Sequence, residues 1–80
     1  MYKWGGKMTN KTIRLVYMNN APEITISVDK DTTYKVPSSQ MYNLEHWLNT
    51  EANSIMITCE NGNKVGLNKY NLQYGEIINN

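Results

Sequence analysis

The sequence is poor in the residues that build disulfide-bonded or membrane-embedded proteins. Its 80 residues include one cysteine, two prolines and no phenylalanine. A single cysteine cannot form an internal disulfide, which excludes a small secreted scaffold held by bridges. No apolar run approaches the roughly 18 residues of a membrane span, and the first residues lack the apolar stretch of a signal peptide. We therefore expect no membrane partner and a cytoplasmic location.

Strongly apolar residues are also few. Leucine, isoleucine and valine together number 16, accompanied by five methionines, six tyrosines and two tryptophans. A chain of this length buries only about 60–65% of its unfolded surface, which leaves room for one small domain. Such a domain is expected to be marginally stable by itself, or to be helped by a partner or by self-association.

The net charge of the chain is close to zero, but its charged residues are unevenly distributed along the sequence. The formal net charge is +1, which argues against a strongly basic nucleic-acid binder. The first 14 residues have no acid and carry +4, whereas the remaining residues carry −3. The basic start contains Gly5-Gly6 and shows no period of 2 or 3.6. We predict a flexible basic arm over residues 1–11 and a single domain over residues 12–80.

Alternation of apolar and polar residues predicts three antiparallel strands in the first half of the domain. Side chains of a strand alternate between its two faces, so a register that pairs Ile13 with Val28 and Leu15 with Ile26 collects the apolar residues on one face. Asparagine, alanine and proline between these strands form the loop. A second antiparallel pairing, in which Val28 lies opposite Tyr34, adds the third strand.

A helix is predicted after Pro37, which ends the third strand. Ser38 or Ser39 can act as the N-cap, since a serine side chain accepts a hydrogen bond from the first turn. The following apolar residues fall at helical spacing up to about Asn49, and they are Met41, Leu44, Trp47 and Leu48. A helix of about eleven residues is too short to be stable alone, so we expect it to pack on the apolar face of the sheet.

Three more strands follow the helix. Pairing Ile57 with Val65 requires a three-residue loop in which Gly62 adopts a left-handed conformation. A further turn then places Leu67 opposite Leu72 in the last strand. The predicted fold class is therefore α+β, an antiparallel β-meander sheet in the order β-β-β-α-β-β-β with one helix on its apolar face. This sheet could curl into a half-open barrel.

The residue types that carry catalysis or bind metals are scarce. One cysteine and one histidine cannot supply the three or four ligands of a closed zinc site. His46 falls on the polar side of the helix, and Cys59 alternates with Ile55 and Ile57 as a buried residue would. Neither has the neighbours that activate a base or a thiolate, and the glycines match no phosphate-binding pattern. The sequence predicts no catalytic residue, no metal and no cofactor.

Methionine and tyrosine at outward-facing positions indicate a protein interface. Both residue types are enriched where proteins meet, whereas lysine and glutamate are depleted there. An outer strand could also add to the sheet of a partner or of a second copy. The predicted partner-binding residues are Val16, Met18, Tyr42, His46, Met56, Tyr70 and Tyr74.

Codon preference adds an expectation about origin. Asparagine, lysine, isoleucine and tyrosine, whose codons are rich in A and T, supply 32 of the 80 residues. This composition suggests a low-GC bacterium, or a phage or mobile element living in one. We expect a non-catalytic protein-binding module of that origin, which inhibits or adapts a larger host protein, for example a host defence factor, in the host cytoplasm.

The main alternative is a small nucleic-acid-binding β domain that uses the basic arm. Cations can neutralise phosphates and aromatic side chains can stack on bases, and such binding weakens steeply with salt. The residues predicted for this role are Lys3, Trp4, Lys7, Lys11 and Arg14. A small enzyme whose active site is shared between copies of the chain remains as a third hypothesis.

Overall fold

The computed structural model describes residues 11–79. Its elements are β1 (Lys11–Tyr17), β2 (Ile24–Ser27), β3 (Tyr34–Lys35), α1 (Ser38–Leu48), β4 (Ser54–Thr58), β5 (Lys64–Asn68) and β6 (Leu72–Asn79). The α+β class and the order β-β-β-α-β-β-β are thereby confirmed. The strands form a four-stranded sheet in the order β3-β2-β1-β6 and a two-stranded sheet of β4 and β5. Neither sheet closes into a barrel within residues 11–79.

β1 lies at the centre of the larger sheet and supplies its buried face. Ile13 and Leu15 are completely buried. In the antiparallel pairing with β2, Ile13 lies opposite Ile26 and Leu15 opposite Ile24. The predicted register placed Val28 opposite Ile13 and is therefore wrong by two residues. A shift of two keeps every side chain on its face, so the apolar pattern could not distinguish the two registers.

β3 lies beside β2 but runs parallel to it. Ile26 is opposite Tyr34, and Ser27 is opposite Lys35. The predicted antiparallel hairpin is wrong here, because the chain loops back over residues 28–33 before it pairs. The Val36 N–H continues this parallel pairing by donating to the Ser27 carbonyl at 2.9 Å. Val36 is completely buried, as the sequence alternation requires.

Side-chain hydroxyl groups replace part of the backbone hydrogen bonding around the connection between β2 and β3. Thr25 N–H donates to Thr33 Oγ1 at 3.2 Å, and Thr33 N–H donates to Thr25 Oγ1 at 3.1 Å. Ser27 Oγ, on a completely buried residue, accepts from Lys30 N–H at 3.0 Å. Short hydroxyl side chains satisfy local backbone groups in this way when a regular ladder is missing.

The predicted helix is present, and its buried face is the expected one. Met41, Leu44 and Trp47 are buried. Pro37 is the N-cap, however, and no side chain caps the helix, so the predicted serine cap is wrong. Because the helix begins at Ser38, both serines lie within its first turn. The Pro37 carbonyl accepts from the Gln40 N–H at 2.9 Å.

A lysine from the turn between β5 and β6 closes the other end of α1. Lys69 Nζ donates to the Trp47 carbonyl at 2.9 Å and to the Thr50 carbonyl at 2.5 Å. The same ammonium lies 5.1 Å from the centre of the Trp47 ring. The Trp47 carbonyl also accepts from the N–H and the hydroxyl of Thr50, so the lysine adds a charged donor there. A cation at this end matches the negative end of the helix dipole. The contact also joins the helix to the smaller sheet.

The β4–β5 hairpin has the predicted register. Ile57 lies opposite Val65 and Ile55 opposite Leu67. Cys59 N–H donates to the carbonyl of Asn63 at 2.7 Å and so encloses a three-residue loop. Gly62 in this loop has φ 92°, the left-handed conformation that the prediction required.

β6 does not continue from β5 as a meander. It pairs antiparallel with β1, from Lys11 opposite Asn79 to Tyr17 opposite Leu72, with an irregularity between Val16 and Tyr17. The predicted pairing of β5 with β6 is therefore wrong. Asn71, at φ 64°, turns the chain away from β5, and the free side of β1 accepts the last strand. Lys11, assigned to the arm from the sequence, is the first residue of β1.

Alanine substitutions at two glycines of the hairpin test the left-handed loop. Gly62→Ala should lower the free energy of unfolding by about 1–2 kcal/mol, the cost of a left-handed conformation for an L-residue. A Cβ at Gly62 meets nothing within 4 Å, so no clash contributes to this loss. Gly66→Ala in β5 is the matched control and should cost little, since its Cβ meets only Met56 Cε at 3.9 Å. Equal losses in urea unfolding would contradict the loop geometry.

Candidate functional site

A cleft of about 740 Å³ lies between the β1–β2 loop and the β5–β6 turn. Met18 from the first loop and Tyr70 from the second turn line it, and both belong to the predicted partner-binding set. Met18 is 49% exposed and Tyr70 is 80% exposed. Ile24 and Leu67 add apolar surface from β2 and β5. The structure thus brings two of the seven predicted residues together on a concave apolar surface.

Two hydrogen bonds hold the walls of the cleft together. Tyr17 Oη donates to the Asn68 carbonyl at 2.6 Å, and Met18 N–H donates to the Asn71 carbonyl at 2.8 Å. The first joins the end of β1 to the end of β5 and so ties the larger sheet to the smaller one, whereas the second continues the β1–β6 pairing into the β5–β6 turn. Burial raises the pKa of the Tyr17 phenol, which keeps the hydroxyl protonated as a donor.

Asparagines in left-handed conformations shape both walls. Asn19 and Asn20 have φ 66° and 61°, and Asn71 has φ 64°. Asparagine tolerates this conformation better than most residues, because its short polar side chain can bond to the local backbone. These asparagines lie directly beside Met18 and Tyr70 in the sequence. The turns that leave these two side chains exposed are therefore specified by the sequence itself.

The cleft carries one charged residue, and that charge is compensated. Among the residues that line it, only Glu23 is charged. Glu23 Oε1 lies 2.8 Å from Arg14 Nε, and Glu76 Oε1 lies 3.3 Å from Arg14 Nη1. Arg14 Nη2 also donates to Tyr74 Oη at 2.8 Å. Tyr74 and then Glu23 raise the pKa of Arg14. The cleft therefore presents an apolar surface without an uncompensated charge.

The cations predicted to contact nucleic acid are engaged by acids wherever they are described. Lys11 Nζ lies 3.0 Å from Glu45 Oε2. Arg14 is held between two carboxylates, as above. A phosphate would have to compete with these internal ion pairs. The other three residues of that set, Lys3, Trp4 and Lys7, lie outside the described residues.

A second cleft, of about 460 Å³, contains two more predicted residues, His46 and Met56. Trp47 also lines it, and its buried Nε1 has no hydrogen-bond partner among residues 11–79. Cys59 lines a different, smaller cleft, so the histidine and the cysteine are not brought together. In the described part of the chain, no three His, Cys, Asp or Glu side chains are grouped so that they could hold a metal ion.

The remaining predicted residues lie elsewhere on the surface. Val16 is half-buried and lies opposite Tyr74 across the β1–β6 pairing. Tyr42 is exposed on α1. The predicted set is thus distributed over separate surfaces rather than forming one continuous interface.

The sequence reasoning missed several residues of the main cleft. Alternation with Ile13 and Leu15 places Tyr17 on the apolar face of β1, yet its hydroxyl makes a bond that joins the larger sheet to β5. Pro22 and Asn71 were treated only as turn residues, although both line the cleft. The sequence does contain one signal for the cleft: in two separate loops, an asparagine directly follows an exposed methionine or tyrosine. That signal did not show that the two loops meet.

No family model, curated protein or solved structure matches this chain. None of the helical segments in residues 11–79 is long and apolar enough to cross a membrane. Function is therefore inferred from the geometry of the cleft.

Removing one hydroxyl tests the tie between the sheets. Tyr17→Phe should lower the free energy of unfolding by about 1 kcal/mol at pH 7, because the Asn68 carbonyl loses its donor. Burial raises the folded-state pKa of Tyr17 above its ordinary value of 10.0. The stability that the Tyr17 hydroxyl contributes is therefore complete below pH 10.0, and it is lost as the pH rises through the folded-state pKa. The difference from wild type should therefore shrink in urea unfolding above about pH 10.

Tyr42→Phe is the control for this experiment, because Tyr42 is exposed on α1. It should leave the stability unchanged at both pH values. A Tyr17→Phe protein as stable as wild type at pH 7 would show that the hydrogen bond does not join the sheets.

Proposed function

We propose that this protein is a non-catalytic protein-binding module whose main cleft accepts an extended apolar segment of a larger protein. The observation that carries this proposal is the pair of exposed side chains, Met18 and Tyr70, on opposite walls of one cleft. Methionine adapts its shape to different apolar surfaces, and tyrosine offers a large contact area at low entropic cost. Together they have the chemistry of interface anchors.

The walls of the cleft favour a peptide segment as the ligand. Ile24 and Leu67 offer apolar surface for a side chain, and the exposed asparagines Asn19 and Asn71 line the cleft. Their amides can donate and accept hydrogen bonds, as the backbone of an extended peptide requires. Glu23 is already paired with Arg14, so the ligand needs no cation to compensate it. We infer a neutral segment with aliphatic or aromatic side chains.

The cleft is prepared for binding because its walls are fixed before the ligand arrives. The Tyr17–Asn68 and Met18–Asn71 bonds hold the two loops at one separation. A preorganised surface loses less entropy on association than one that must order itself. Burying the exposed part of a methionine and a tyrosine can contribute roughly 1–3 kcal/mol each, and the upper part of that range overlaps with interface hot spots.

The biological setting remains the one that composition favours. The A/T-rich codon preference supports an origin in a low-GC bacterium, a phage or a mobile element. In that setting the module would inhibit or adapt a larger host protein, such as a defence factor. An unpaired cysteine, Cys59, suits a reducing compartment such as the host cytoplasm.

A selection of peptides from a random display library tests the cleft without knowledge of the natural partner. Peptides that bind the purified protein should be rich in aliphatic and aromatic residues. The double variant Met18→Ser/Tyr70→Ser should bind them at least about tenfold more weakly in isothermal titration, since a tenfold loss corresponds to about 1.4 kcal/mol. Urea unfolding of the variant verifies that it remains folded.

Met56→Ser/Tyr42→Ser is the matched control, because it removes the same two residue types from exposed positions outside the main cleft. It should bind the selected peptides as wild type does. The proposal fails if no peptide is selected, or if the control loses binding as much as the cleft variant.

A further inference from the structure

β6 is the longest strand of the described chain and lies at the end of the larger sheet. Its inner edge pairs with β1 along the whole of β1, and no strand among residues 11–79 pairs with its outer edge. An edge strand presents a row of unpaired N–H and C=O groups, which makes it a template for another strand. The opposite edge of this sheet, β3, has two residues and offers no comparable template.

The sequence of β6 lacks the usual protection of an edge strand. It contains no lysine, arginine or proline, which natural proteins place on edges to prevent pairing. Its one charged residue, Glu76, is compensated by Arg14 at 3.3 Å. Tyr74 is 46% exposed and Ile77 is 39% exposed. Apolar surface therefore accompanies the free backbone groups along this edge.

We propose that β6 pairs antiparallel with β6 of a second copy of this chain. The two larger sheets then join into one sheet in the order β3-β2-β1-β6-β6-β1-β2-β3. A two-fold axis perpendicular to the sheet relates the copies, so both helices lie on the same side. This proposal is independent of the proposed function, because no residue of β6 lines the main cleft.

Charge selects one register for this pairing. Residues that lie opposite each other in an antiparallel pair point to the same side of the sheet. The two-fold axis must therefore pass beside a residue of β6 and not between two residues. The registers with the longest overlap are then centred on Gly75 or on Glu76. The register centred on Glu76 places two carboxylates directly opposite each other, which is destabilising. We therefore place Gly75 on the symmetry axis.

In this register the outer face of the joined sheet is electrostatically complementary. Glu76 lies opposite Tyr74 of the second copy. The Tyr74 hydroxyl accepts from Arg14 at 2.8 Å, so its own proton can be donated to that Glu76 carboxylate. Each Glu76 carboxylate would then contact Arg14 of its own chain and the Tyr74 hydroxyl of the second copy. Both carboxylates at the junction would thus have a donor from each chain.

On the inner face, apolar side chains cover the position of the axis. A Cβ at Gly75 would lie 3.1 Å from Leu48 Cδ2, so the end of α1 packs directly over this glycine. Leu48 is half-buried in one copy. With Gly75 on the axis, the two Leu48 side chains approach each other. Only residues 72–78 of each copy overlap in this register, so we expect a weak dimer in rapid exchange.

Substitutions that introduce opposite charges at position 74 test both the β6 edge as the dimer interface and the register centred on Gly75. Sedimentation velocity of the wild-type full chain should show a monomer–dimer equilibrium between about 5 and 500 μM, the range of a weak interface. Tyr74→Glu should weaken the dimer at least about tenfold, because it places a carboxylate opposite Glu76 of the second copy. Tyr74→Lys should retain or strengthen it, since a cation then lies opposite the same Glu76. Within one chain, Tyr74→Glu can still accept from Arg14, whereas Tyr74→Lys is repelled by it. The effect within the chain is therefore opposite to the one expected between the copies.

Tyr70→Glu and Tyr70→Lys are the matched controls, because Tyr70 is exposed on the cleft and not on β6. Both should dimerise as wild type does. Circular dichroism verifies that every variant is folded. A wild-type chain that stays monomeric over this range overturns the proposal. Equal effects of Glu and Lys at position 74 overturn the register.

Discussion

The antiparallel pairing of β1 with β6 is the interaction on which the rest of the structure depends. It places the last strand beside the first and gives β1 a partner on each side. Because β6 leaves β5, the β4–β5 hairpin forms a sheet of its own, and the gap at the turns of the two sheets becomes the main cleft. The bond from Tyr17 to Asn68 spans that gap. The same departure leaves the outer edge of β6 without a partner strand among residues 11–79.

Few apolar residues have to cover two sheets and a helix, and polar groups supply part of the cohesion. The core consists of one cluster to which both sheets and α1 contribute. Where this cluster ends, single polar contacts join the elements. Lys69 binds the carbonyl end of α1, and Lys11 pairs with Glu45 on the same helix. Thr25 and Thr33 support the parallel return of β3. Each contact is modest, but each ties an element that the small core covers incompletely.

Local patterns predicted the elements, and long-range pairing escaped them for a physical reason. The buried face of α1 and the register of the β4–β5 hairpin follow from spacing within a few residues, and both were predicted. The partners of β3 and β6 depend on which strand edges meet. Leu72 is partly buried whether it lies opposite Leu67 or opposite Tyr17. The alternation of apolar and polar residues therefore does not distinguish a β5–β6 pairing from a β1–β6 pairing. For the same reason Met18 and Tyr70 could be recognised as exposed, but their meeting in one cleft could not.

The cleft and the β6 edge are separate surfaces that share one residue at their boundary. Arg14 contacts Glu23 on the cleft wall and Glu76 on β6 through a single guanidinium group. Pairing along β6 would therefore leave the clefts of both copies open, since none of their lining residues lies on that strand. Two weak sites held in one assembly bind a partner with repeated segments far more tightly than either alone, because the second contact forms at a high effective concentration. A protein with so small a core can in this way gain binding strength by association, without additional apolar surface of its own.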